Sequence, residues 1–185
     1  LNIQQVNTTM KFMNRQKELE KLEEYYALSQ KQLIPVAISG LRRVGKTTLV
    51  REFIKNKKAL YLFVYDSKTS PELLREFTEE LRHHHIITEL EGIASWKVFF
   101  DILFQRCKNY VVVFDEFQNF YSIDKSVFSI VQKACDEYKS TALNIIILGS
   151  LIGLFKNIFE DEKEPLYGRI AGKLHLQPFT LRYSL

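Results

Sequence analysis

Gly40-Leu41-Arg42-Arg43-Val44-Gly45-Lys46-Thr47, with Thr48 behind it, spells a glycine, four residues, then Gly-Lys-Thr. That is the pattern of a phosphate-binding loop. The residues on either side agree with it. Ile34-Pro35-Val36-Ala37-Ile38-Ser39 reads as a short buried strand, and residues 46–56 read as a helix with Leu49, Val50, Phe53 and Ile54 on one face. The loop therefore lies between a strand and a helix, where such a loop has to be. Gly40 and Gly45 permit backbone angles and a close approach that a Cβ would block, so successive N–H groups can face phosphate oxygens. The start of the helix adds its positive dipole end. Lys46 supplies a point charge for the β- and γ-phosphates, and the Thr47 hydroxyl is a Mg²⁺ ligand. Arg42, Arg43, Val44 and Thr48 complete the set of loop residues expected to meet the nucleotide.

A second feature completes the site. Tyr110-Val111-Val112-Val113-Phe114 reads as a strand that delivers Asp115-Glu116 at its C-terminal end. Asp115 is the expected second Mg²⁺ ligand, directly or through water, and Glu116 is placed to act as general base on an attacking water. Ser150 follows the buried strand at 143–148; it reads either as a sensor of the γ-phosphate or as an ordinary helix N-cap. Gln118 and Asn119 either orient water or satisfy the loop backbone. Arg169 is a candidate for neutralising transition-state charge, within the chain or across a subunit contact, or else a solvated surface arginine.

The rest of the chain alternates strands with helices: strands at 59–65 and 173–176, helices from about 15 to 26, from Ser70-Pro71, at 96–107, from Asp124 or Ser126 to 138, and at 151–159. The second strand is apolar nearly throughout, as in a strand covered on both faces. Trp96, Phe99, Phe100, Leu103 and Phe104 form a stripe expected to be core. This alternation predicts a parallel sheet with helices on both faces and a ligand at the C-terminal strand ends.

A chain of 185 residues with 46% hydrophobic and 26% charged residues is that of one ordinary globular domain. Its net charge of +4 permits nucleic-acid contact without arguing for it. Cys107 and Cys135 are widely spaced, which suggests buried thiols rather than a disulfide or zinc framework. His83-His84-His85 reads as a solvated helix C-terminus, with His85 and Glu89 sharing a face only if the helix continues. No apolar run is long enough to cross a bilayer, so a cytoplasmic protein is expected. Residues 1–9 read as a disordered extension and 10–185 as the domain.

Phe12-Met13-Asn14-Arg15 with Glu18-Leu19, the glycine-rich loop, Val-Val-Val-Phe-Asp-Glu-Phe-Gln, the strand ending at Gly149-Ser150, and Pro165-Leu166-Tyr167-Gly168-Arg169 with Leu-x-Leu-x-Pro-Phe together resemble the archaeal ATPase family, an AAA-like, STAND-type group of P-loop ATPases. The resemblance implies a three-layer α-β-α sandwich on a five-stranded parallel sheet in the order 5-1-4-3-2. It also implies ATP and ADP as ligands with Mg²⁺, and places Asn14-Arg15 near the adenine. Such members usually continue into a helical lid and a winged helix, which this chain stops before. The leading functional expectation is a nucleotide-dependent switch that hydrolyses ATP. The alternative is a DNA-associated ATPase resembling replication initiators or mobile-element regulators, whose DNA contacts lie in that further region; a homo-oligomer is left open. A GTPase is disfavoured because no Asn-Lys-x-Asp guanine-reading motif occurs.

Overall fold

The computed structural model describes residues 15–178. Element order is α1 (Gln16–Ser29), β1 (Leu33–Gly40), α2 (Lys46–Ile54), β2 (Ala59–Phe63), α3 (Ser70–His83), α4 (Trp96–Arg106), β3 (Val111–Asp115), a 3₁₀ turn (Phe117–Asn119), α5 (Phe120–Ile123), α6 (Ser126–Glu137), β4 (Leu143–Gly149), α7 (Ile152–Glu160) and β5 (Gly172–Leu176). The five strands form one sheet in the order β2-β3-β4-β1-β5, all parallel, as expected.

Both faces of the sheet are covered. On one, Val36, Ile38, Val111, Val113, Ile146 and Leu148 meet Leu22 of α1 and Leu49, Val50 and Phe53 of α2. On the other, Phe114, Ile145 and Ile147 meet an aromatic core from α3, α4 and the loop after β3, including Phe77, Trp96, Phe99 and Phe117. Strands β3 and β4 are buried along their whole length, which explains their largely apolar sequences, with Asp115 and Asn144 as buried polar exceptions. Pro35 sits inside β1 without loss. Its carbonyl accepts from Ala171 N–H at 2.8 Å, so its missing N–H faces the β5 side, where pairing begins only at Val36↔Gly172.

Several local expectations change. β2 is an edge strand, and its burial alternates: Leu60 and Leu62 are buried while Ala59, Tyr61 and Phe63 are half-buried, so it is covered fully on one face only. The cap of α3, expected to start from Ser70-Pro71, is Thr69. Glu72 accepts from Thr69 N–H at 2.9 Å and from its hydroxyl at 2.6 Å. The Ser70 hydroxyl is instead engaged in tertiary bonds, donating to Asp124 and accepting from Trp96 Nε1. α3 stops at His83 and His85 is left-handed (φ 55°), so His85 and Glu89 do not share a helix face. Ser95 does cap α4, accepting from Val98 N–H at 3.4 Å. The segment after Glu116, for which no element was expected, holds the 3₁₀ turn and α5, anchored by the buried Phe117 and Phe120.

Parallel register puts all the strand C-termini along one edge. Ser39 lies beside Gly149, Gly40 beside Leu176, and Phe63 beside Asp115. The candidate site is built on this edge.

Candidate functional site: a phosphate-binding edge

The loop after β1 turns through two left-handed residues, Arg43 (φ 64°) and Gly45 (φ 95°). Such alternation turns consecutive N–H groups to one side. The N–H groups of Gly45, Lys46, Thr47 and Thr48 have no acceptor among the described residues, and the first donation back to the loop is Leu49 N–H to the Gly45 carbonyl at 2.9 Å. These are the free donors of a helix N-terminus, aimed outward beyond the sheet edge. Gly40 serves by closeness rather than by angle, since a Cβ there would lie 2.8 Å from the Leu176 carbonyl oxygen and 2.9 Å from Val44 Cγ1.

Lys46 is buried, and its Nζ donates to the carbonyls of Gly40 at 2.7 Å and Leu41 at 3.0 Å. Burial lowers its pKa; the nearby Glu116 and Asp115 act in the opposite direction, and Arg42 adds to the lowering. The loop carbonyls thus hold a partly desolvated ammonium whose burial the carboxylates of Glu116 and Asp115 offset only in part. Arg42, Arg43 and Thr48 are exposed on the loop's outer side.

Across 68 residues of sequence, the Thr47 hydroxyl donates to Asp115 Oδ2 at 3.0 Å. Asp115 is almost fully buried; its Oδ1 accepts from Glu116 N–H at 2.9 Å, and Oδ2 accepts also from the Tyr61 hydroxyl. The Tyr61 phenol is pushed upward by burial and by its bond to Asp115, so it stays protonated and donating. A hydroxyl and one carboxylate are the hard oxygen ligands that Mg²⁺ takes from such sites, with phosphate and water supplying the rest, so the donor set fits that ion.

Glu116 adopts a left-handed conformation (φ 55°, ψ 39°), a cost of about 1–3 kcal/mol for a non-glycine residue. Its Oε2 accepts from the Ser150 hydroxyl at 2.7 Å and from Gln118 Nε2. Gln118 is buried and its Oε1 has no partner among the described residues. A Cβ on Gly149 would lie 2.1 Å from Phe155 and 2.8 Å from Gln118 Oε1, so glycine at the end of β4 is what lets this side chain in. Ser150 does not cap α7: the N-cap position is Leu151. Asn119 satisfies the loop backbone, its Nδ2 donating to the Val64 carbonyl at 2.8 Å.

One expected residue lies elsewhere. Arg169 bonds Asp136 at 3.1 Å and the Tyr167 carbonyl at 2.8 Å, beside Leu33, Pro35 and Lys139. Leu33 opens β1, so Arg169 sits at the N-terminal edge of the sheet, the end opposite the phosphate loop. It does not reach its own chain's loop, because the segment entering β5 runs beside the start of β1, where Ala171 N–H donates to the Pro35 carbonyl at 2.8 Å. Arg15 is buried and ties three parts together: Val44 carbonyl at 3.2 Å, Gln177 carbonyl at 2.6 Å and Glu18 at 2.8 Å. Asn14 lies outside the described residues.

An ATPase domain family predominantly from Archaea matches residues 12–184. The chain belongs to that family. A protein of Methanocaldococcus jannaschii, the uncharacterized MJECL04, is 28% identical over 184 residues, covering 93% of this chain and 37% of that protein. A shorter uncharacterized ATP-binding protein of the same organism, MJ0423, is 47% identical over 47 residues, 25% of this chain and 76% of that one. Among solved structures, the Walker-type ATPase PABY2304 of Pyrococcus abyssi superposes with a TM-score of 0.65 at 26% identity, over 90% of this chain and 54% of that one. The Aeropyrum pernix ORC1 protein, solved in complex with DNA, gives 0.66 at 16% identity over 90% of this chain and 46% of that one, a likeness of fold. This ATPase domain therefore spans about half or less of MJECL04, PABY2304 and ORC1.

Sequence reasoning missed Tyr61. Its signal was a polar atom in an otherwise apolar strand, but its relation to Asp115 depends on β2 pairing with β3. No helix of the described residues is long and apolar enough to cross a membrane, and among them no group of three or more His, Cys, Asp or Glu side chains gathers to hold a metal.

Proposed function

We propose that this domain binds ATP with Mg²⁺ and hydrolyses it to ADP and phosphate, working as a nucleotide-dependent switch. The observation that carries the reading is the bond from Thr47 to Asp115 at 3.0 Å, beside the buried Lys46 ammonium. It joins a loop with free N–H donors to a carboxylate at one sheet edge. Thr47 and Asp115 would hold Mg²⁺, which draws off charge developing on the phosphate oxygens.

The protein's own groups do the following. Lys46 exchanges the Gly40 and Leu41 carbonyls for phosphate oxygens, gaining a directly bonded anion. The N–H groups of 45–48 take the remaining oxygens. Glu116 accepts a proton from the attacking water as its oxygen bonds to the γ-phosphorus and the bond to the β–γ bridging oxygen breaks. Ser150 provides the switch: its hydroxyl donates to Glu116 when no phosphate is near, and a γ-phosphate oxygen offers a stronger acceptor. Turning to it would leave Gln118 alone on Glu116 and so link the nucleotide state to the end of β4.

The test is Glu116→Gln, expected to keep ATP affinity while lowering turnover by about 10²-fold or more. Unchanged turnover would remove Glu116 from the role of base. DNA contact and self-association stay outside this proposal, because the likeness to the DNA-bound ORC1 protein, at 16% identity, is one of fold.

A further inference from the structure

Asp115 is saturated in an uncommon way. A carboxylate offers about four lone-pair directions. Three are filled by protein donors: Glu116 N–H on Oδ1, and the hydroxyls of Thr47 and Tyr61 on Oδ2. Among the described residues a single direction, on Oδ1, stays open. Thr47 belongs to the loop and Glu116 is the next residue in the chain, so both bonds come with the local motif. The Tyr61 bond comes from a different strand. In the β2–β3 ladder Tyr61 pairs with Val113 and Phe63 with Asp115, which makes Tyr61 the diagonal neighbour of Asp115 on the same face. The diagonal gap suits a side chain of tyrosine's length.

The ring is held in place as well. It is half-buried over the α2 side of the sheet, and the Arg51 guanidinium lies over its face with 5.4 Å to the centroid. Beyond the ring a cavity of about 280 Å³, lined by Arg51, Tyr65, Glu76 and Glu80, borders Thr47 and Asp115. Without the Tyr61 hydroxyl, Oδ2 would face this polar space with the Thr47 hydroxyl alone on it, and the carboxylate would keep two donors, both from the local motif, in place of three.

We propose that Tyr61 is a positioning residue for the cation end of the site, fixing the Asp115 carboxylate in the one rotation that leaves its open direction toward the ion held with Thr47. The inference rests on the ATP and Mg²⁺ reading above and adds to it a residue outside the loop and the Asp-Glu pair. A carboxylate so oriented binds the ion with no rearrangement, as hydrogen bonds to ligand side chains do at other metal sites.

The experiment compares the full chain with Tyr61→Phe, which keeps the ring and removes only the donor. Affinity for a non-hydrolysable ATP analogue is measured by calorimetry in EDTA and then across a Mg²⁺ series, with thermal melting of the nucleotide-free protein alongside. Equal affinity in EDTA, with the Mg²⁺ midpoint raised about 10-fold or more in the variant, is the expected result. A midpoint within twofold of the original, or a lower one, overturns the proposal. So does a lowered melting temperature with an unmoved midpoint, since Tyr61 would then be structural only. If the unaltered protein itself shows no Mg²⁺-dependent tightening, the ATP and Mg²⁺ reading fails; a response there with no change in the variant defeats the role of Tyr61 alone.

Discussion

Replacing Lys46 by methionine separates a binding residue from a structural one. In the free protein its ammonium is held 2.7 Å from the Gly40 carbonyl and 3.0 Å from that of Leu41, and burial lowers its pKa more than Glu116 and Asp115 raise it. A lysine whose folded pKa lies below its unfolded value costs stability while it is protonated in both states. That cost is relieved as pH rises through the folded pKa toward the ordinary lysine value. Lys46→Met therefore removes a cost along with two hydrogen bonds, one to the buried Gly40 carbonyl and one to that of the exposed Leu41, and unfolding free energy is expected to fall by no more than about 1–3 kcal/mol. ATP loses charge-assisted bonds worth about 1.5–3 kcal/mol. By the affinity relation, Kd should rise roughly 10- to 150-fold. Urea melts at pH 7 and calorimetric titration with ATP measure the two quantities on one sample. A variant that loses several kcal/mol of stability yet binds ATP as before would refute the reasoning, because Lys46 would then serve the fold.

The loop glycines differ in mechanism. Gly40→Ala drives a Cβ to 2.8 Å from the Leu176 carbonyl and should cost about 1–3 kcal/mol by overpacking between β1 and β5, read by urea denaturation. Gly45→Ala meets nothing within 4 Å but keeps a φ of 95°, and should cost about 1–2 kcal/mol through backbone conformation alone. Ser150→Ala is expected to leave ATP affinity within about threefold and to lower single-turnover hydrolysis by roughly 10²-fold, the scale of one lost donor; equal rates would remove Ser150 from the switch. Burial pushes the Cys107 and Cys135 thiols up to about 12, so alkylation at pH 8 should wait for unfolding. Because the folded state disfavours both thiolates, stability is retained below the ordinary thiol value of 9.0 and falls as pH rises from there toward about 12.

Much of this molecule is determined by local pattern. The run from Ile34 to Leu49 specifies strand, loop and helix by itself, because glycine placement and apolar periodicity act within a few residues. The unbroken apolar runs at 111–114 and 145–148 likewise announce buried parallel strands. The strand order, by contrast, was implied by family resemblance, since alternation of elements does not say which strands adjoin. Pairing decided the remainder. Only the tertiary structure put Tyr61 on Asp115 and both Ser150 and Gln118 on Glu116, because each contact joins residues on different strands or turns at a register that no single segment encodes. It also moved Arg169 to the far edge of the sheet, which its place in the sequence before β5 does not reveal. Short-range sterics and hydrophobic period write the loop and the strands; which side chains face one another across the edge is settled by packing five strands into one sheet.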